Sequence, residues 1–173
     1  MENLKNKKLW LTSGVPGLGK STWIQKHIQF FDGKVVTISR DEIRFSLLKE
    51  GEDYFAHEKE VWNKYTTDAI NALNECDNII LDATHLNERS RAKILRALRT
   101  SLKNVEINIL FFKGSEQLAI QRNEGRAGLQ YVPPAQIKRM IIQTTTPTFE
   151  EGFDNIYIID AETGKIKLMK KVV

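Results

Sequence analysis

KKLWLTSGVPGLGKSTWIQKHIQFF, residues 7–31, changes character twice. The run KKLWLTSG is short and apolar and ends on Gly14, and from Leu18 onward Trp23, Ile24, Ile28 and Phe31 recur at helical spacing. That pattern predicts a strand, a turn and a helix over 18–31. Within the turn, Gly14, Gly19, Lys20 and Ser21 satisfy G-x-x-x-x-G-K-[ST], the spacing at which a loop between strand and helix wraps a phosphate. Successive backbone N–H groups converge on the anion, and glycine at 14, 17 and 19 leaves room for its approach. Lys20 would reach the β- and γ-phosphates as a point charge, Ser21 would complete the shell of a Mg²⁺, and Thr22 would add a hydroxyl to the α-phosphate. The stretch reads as a site for ATP or another nucleoside triphosphate, with Mg²⁺.

Composition sets the frame around this loop. With 173 residues, of which 41% are hydrophobic, the chain can bury one core without disulfides or a structural metal, so a single domain over 1–173 is expected. Cys76 is alone and cannot form an intramolecular bridge, and no Cys–His cluster has zinc-ligand spacing; a reducing, cytoplasmic location is expected, with Cys76 a half-buried helix residue. Nowhere do eighteen apolar residues run together, so neither a signal peptide nor a membrane span is expected. The formal charge of +4 suits a phosphate-rich partner and also describes many ordinary proteins.

Downstream, β-branched or apolar runs alternate with helical patterns. GKVVTIS and NIILDATH read as strands, the second too apolar to alternate and so covered on both faces. YFAHEKEVWNKYTTDAINALNEC reads as a helix facing inward through Val61, Tyr65, Ala69, Ala72 and Leu73. The helix NERSRAKILRALRTSLK, the strand VEINILFF, the helices SEQLAIQRN and AQIKRMIIQT and the strand NIYIID follow, and AETGKIKLMKK turns at Thr163-Gly164 toward a small terminal strand. The expected fold is α/β: a doubly wound, mostly parallel five-stranded sheet with helices on both faces and a helical lid.

Candidate chemistry lies at the ends of these strands. Asp41, after the second strand, is placed to accept a proton from an attacking hydroxyl, or else to cap the helix it opens; Arg44, one turn later, would hold an anionic acceptor while keeping Asp41 ionised. Asp82 ends the third strand, where a carboxylate suits a metal or its waters, a helix cap or a pair with Arg44; Asp82 and the Thr84 that follows it are grouped with Arg44 on the acceptor side, and His85 reads as structural. Arg122 and Arg126, four apart beside two glycines, are either a lid over the triphosphate or a solvated helix end. Arg89, Lys93, Arg96 and Lys103 form a basic stripe that is an exposed helix face or a polynucleotide track. Trp10, Trp23 and Trp62 read as core residues.

GVPGLGKSTW, SRDEIR, LDATHLNERSR, QRNEGR, YVPP and PTFEEGFDNIYIID occur in the order and spacing of the 5′-kinase domain of phage polynucleotide kinase. Over nearly its whole length the chain resembles that family of P-loop kinases and its zeta-toxin-like relatives. The resemblance implies Asp41 as general base on a 5′-hydroxyl, Arg44 as clamp on the acceptor's phosphate, Arg122 and Arg126 as lid arginines, and the segment 146–154 near the nucleobase. His85 stands where family members often carry asparagine. No D-x-D-x-[TV] phosphatase motif, K-x-D-G ligase lysine or paired H-x-[ST] motif occurs, so a kinase-only chain is expected.

The expected activity is ATP- and Mg²⁺-dependent phosphorylation of a DNA or RNA 5′-hydroxyl, with a nucleic-acid end as partner and with Asp41, Lys20, Arg122 and Arg126 catalytic. Its rivals are a kinase of a small-molecule hydroxyl (a nucleoside, an antibiotic or a sugar nucleotide) and an ATP-hydrolysing binding switch. The sequence leaves the oligomeric state open.

Overall fold

The computed structural model describes residues 7–172. Its elements are β1 (Lys7–Ser13), α1 (Lys20–Lys26), β2 (Val35–Ser39), α2 (Arg40–Leu47), α3 (Glu58–Glu75), β3 (Asn78–Asp82), α4 (Glu88–Leu98), β4 (Val105–Lys113), α5 (Glu116–Glu124), α6 (Pro134–Gln143), β5 (Asn155–Asp160) and β6 (Ile166–Leu168). They build one sheet in the order β2-β3-β1-β4-β5-β6. The first five strands pair in parallel and β6 pairs antiparallel to β5. The five strands of the expected sheet are parallel, and the sixth is the small terminal strand expected after the turn at Thr163-Gly164, added antiparallel and exposed along its length.

Period-two alternation divides β1 between two cores. Leu9 and Leu11 join Ile79, Leu81 and Ile109 beneath α3 and α4, which contribute Tyr65, Ala69, Ile94 and Leu98. Trp10 faces the other way with Ile80, Leu110 and Phe112, against Trp23 and Ile24 of α1, Ala119 of α5 and Ile137 of α6. Each of the fully buried Leu and Ile side chains contributes about 1.5–3 kcal/mol relative to exposure. Both faces being covered, every residue of β3 is buried and its pattern cannot alternate.

Two helices end sooner than their periodicity predicts. α1 stops at Lys26 and a single 3-10 turn, Ile28–Phe30, follows, leaving Ile28 exposed. Phe30 and Phe31 both set ring edges against Trp10, at 5.7 and 5.1 Å between centroids. Consecutive residues of a continuous helix point about 100° apart and could not both do so. α4 closes at Leu98 instead of continuing to Lys103, and Asn104 at φ 61° turns the chain into β4. Cys76 lies just past α3 and is buried rather than half-buried. No helix among the described residues is long and apolar enough to cross a membrane.

α1 and α4 follow the neighbouring strands β1 and β3 but pack on opposite faces of the sheet. The loops after these strands consequently part at the carboxyl edge, the place where doubly wound sheets bind ligands.

Candidate active site

The β1–α1 loop is held from several sides. The Gly14 N–H donates to the Thr84 carbonyl (2.9 Å), tying the loop to the one after β3. Gly17 sits at φ 88°, and a Cβ there would overlap the carbonyl oxygen of Ala119 in α5. Close packing of two backbones, and not only phosphate approach, requires glycine at 17. Lys20 folds back over the loop and donates to the carbonyls of Gly14 (2.8 Å) and Val15 (3.0 Å).

Burial lowers the Lys20 ammonium to about 8, against the attraction of Asp82 and Asp41 and with repulsion from Arg126. A polyphosphate brought to this nitrogen restores the charged form. Binding should therefore take up close to one proton per site at pH 9 and almost none at pH 7, and affinity should weaken by about tenfold per pH unit above 8. Calorimetry in two buffers of different ionisation enthalpy measures the uptake, and a value near zero at pH 9 would exclude the coupling.

Ser21 Oγ donates to Asp82 Oδ2 at 2.6 Å, and Thr12 Oγ1 approaches the other carboxylate oxygen at 3.3 Å. Asp82 thus faces the phosphate loop. A hydroxyl and a carboxylate form a hard oxygen pair suited to Mg²⁺, which keeps most of its waters. Among the described residues no three His, Cys, Asp or Glu side chains converge as a ready-made metal cage.

Asp41 is free to face the cleft because another residue caps its helix: Ser39 Oγ accepts from the Glu42 N–H. The Asp41 carboxylate is about half exposed, and its Oδ1 accepts from Arg44 Nη1 (2.6 Å) and from the Tyr54 hydroxyl (2.7 Å). Arg44 also donates to Tyr54 Oη (2.8 Å) and to Glu58 Oε2 (2.8 Å). Its guanidinium is almost wholly buried, and the desolvation this costs is outweighed by the Glu58 hydrogen bond and by Tyr54, Glu58 and Asp41, so its pKa is raised. Arg44 does not line the cleft. Where the resemblance implies a clamp on the acceptor, the structure has a residue holding Asp41. Tyr54 and Glu58 went unnoticed in the sequence because no local pattern links them to Arg44. The hydroxyl of Tyr54 is raised by burial and by Asp41, so it remains a donor.

Lys20, Ser21, Thr22, Asp41, Asp82, Thr84, Arg122 and Arg126 line one open cleft of about 450 Å³, with Gly17, Gly19, Phe45 and Gln130. Arg122 lies in the last turn of α5 and Arg126 just beyond it. The buried Asn123 fixes the loop that follows, accepting from Val132 N–H at 3.0 Å. Sequence reading missed Asn123, although it stands between the two arginines. His85 is buried at φ 35°, its Nδ1 donating to the Thr12 carbonyl (2.7 Å), and burial lowers it to about 4. It is a neutral tie between the loop after β3 and the end of β1. The segment 146–154 is not among the residues lining this cleft, and Arg91 fastens its Glu151 to α4.

The AAA domain family matches residues 9–147. No curated protein matches the chain. Among solved structures, a chain of the Pnkp1/Rnl/Hen1 RNA repair complex superposes with a TM-score of 0.65 at 24% identity, covering 79% of this chain and 43% of that one. This chain therefore spans less than half of that relative's length. A gluconokinase from Sinorhizobium meliloti 1021 gives 0.58 at 15% identity, over 90% and 83% of the two chains. Chaetomium thermophilum Kti12 in complex with ADP-AlF3 gives 0.64 at 15%, over 88% of each. The fold is shared with a chain of an RNA repair complex and with a gluconokinase alike.

Proposed function

Because the chain belongs to the AAA domain family, on a kinase-like P-loop fold, we propose that it transfers the γ-phosphate of ATP to the 5′-hydroxyl of a DNA or RNA end. The observation that carries this reading is the exposed, doubly hydrogen-bonded Asp41 carboxylate in the same cleft as Lys20, Arg122 and Arg126. A switch that hydrolyses ATP needs a group to position water; a carboxylate held beside the phosphate loop suits a hydroxyl acceptor.

In the proposed reaction Asp41 accepts the acceptor's proton as the new O–P bond forms and the bond from the γ-phosphorus to the β-bridging oxygen breaks. Arg44 and Tyr54 hold Oδ1 in place, which leaves Oδ2 to take that proton. The loop N–H groups and Lys20 bind the β- and γ-phosphates, and Arg122 and Arg126 spread positive charge over the transferring group. Ser21 and Asp82 would hold Mg²⁺, whose charge neutralises phosphate oxygens.

A second reading, a kinase for a small hydroxyl compound, is favoured by the internal engagement of Arg44, which leaves no fixed arginine for an acceptor phosphate. Transfer from γ-labelled ATP to matched 5′-hydroxyl DNA and RNA strands, beside nucleosides and sugar acids, separates the two. Label on a strand supports the first reading, and label on a small compound alone replaces it with the second.

A further inference from the structure

Trp62 packs against the edge of the core and is not enclosed by it. It is half-buried, and beside it a shallow groove of about 490 Å³ is lined by Trp62, Lys93, Arg96, Ala97, Arg99 and Thr100. No carboxylate lines this groove. Lys93 Nζ lies 4.4 Å from the indole centroid and Arg40 Cζ 5.4 Å from it. Arg40 is the residue before Asp41, and its other partner, Glu58, also holds Arg44. At its Trp62 end the groove is therefore linked, through Arg40 and Glu58, to the arginine that holds Asp41. It continues down α4 toward Arg99 over some 9 Å at about 1.5 Å per helical residue from Lys93.

We propose that this groove binds the single-stranded continuation of the acceptor, downstream of its 5′ end, a role that rests on the polynucleotide reading above. The chemistry is that of non-specific strand binding: the exposed Lys93 now covering the indole would turn its ammonium to a phosphate and give up that face to a base, with further cations spaced along a backbone. An acidic peptide would satisfy the cations but offers no flat π-face for Trp62. Arg96 and Arg99 are exposed and unpaired among the described residues, so phosphates would not have to break an ion pair there.

Fluorescence anisotropy of a labelled long single strand, and phosphorylation of that strand against a dinucleotide, test this with Trp62→Ala and with the double variant Arg96→Ala/Arg99→Ala. Trp62→Ala should weaken long-strand binding about tenfold through lost stacking. The double variant, which alters only exposed side chains, should lower the slope of log Kd against log salt by about 1.4, at roughly 0.7 per phosphate contact. Dinucleotide phosphorylation should be unchanged in both. Unchanged affinity and salt slope in both variants would overturn the groove while leaving a polynucleotide kinase intact. Binding that depends on these residues in a protein that phosphorylates no strand would instead retain the groove and overturn the acceptor assignment.

Discussion

Asp41→Asn is expected to lower kcat for phosphoryl transfer by about 10²–10⁴-fold, the usual contribution of a positioned general base. The amide keeps the shape of the carboxylate, and its oxygen still accepts from Arg44 and Tyr54, whose hydrogen bonds of 2.6 and 2.7 Å end on one atom, Oδ1. What is lost is the basic oxygen. Because the side chain is about half exposed and its helix is capped by Ser39, stability should hardly change. ATP affinity should stay within a few-fold, since Asp41 acts on Lys20 only as a secondary attraction. Steady-state kinetics with separate ATP-binding titrations resolve the two effects. A kcat within threefold of the wild type would remove Asp41 from the reaction, whatever the fate of the remaining site.

The largest effect on stability should come from Arg91. All five of its N–H groups are used: two on the Glu151 carboxylate (2.6 and 3.1 Å), one on the His85 carbonyl (3.2 Å), and two on Thr145 through its carbonyl and hydroxyl oxygens (3.1 Å each). The arginine side chain is fully buried and that of Glu151 nearly so. Removing one partner strands a buried charge, so Glu151→Ala or Arg91→Ala should cost about 3–5 kcal/mol. At roughly 2–4 °C per kcal/mol for a chain of this size, Tm should fall by about 10 °C. Arg91→Lys should not rescue it, because a point charge cannot reproduce the planar fork. The double variant Arg91→Met/Glu151→Leu should recover much of the loss by removing both charges. Thermal unfolding of the four variants is the check, and a Tm shift under 3 °C for Glu151→Ala would show the pair to be dispensable.

Much of the fold was legible because its signals are local. The strand–glycine–lysine order of residues 7–31 specified the first crossover, and the inward face of α3 came out as Val61, Tyr65, Ala69, Ala72 and Leu73, all buried. Three features depended on contacts that sequence spacing does not reveal. Gly17 is constrained by the backbone of Ala119, far along the chain. Tyr54 and Glu58 reach Arg44 only because the stretch between α2 and α3 returns them to the sheet edge. Ser39 and Asp41 are both good cap residues, and only the hydrogen bond to Glu42 N–H shows that Ser39 takes the role and leaves Asp41 to the cleft. The inward turn of Arg44 is likewise a consequence of Glu58, fourteen residues on, whose carboxylate compensates a burial that no local pattern signals.

The most direct test of the proposed chemistry is to locate the transferred phosphate. A 5′-hydroxyl strand incubated with γ-labelled ATP, Mg²⁺ and the protein would be digested to mononucleotides and the labelled product identified. The expected result is label confined to the 5′-phosphate of the terminal nucleotide, and absent with Asp41→Asn. Label recovered only as inorganic phosphate, at the same rate in Asp41→Asn, would contradict the account.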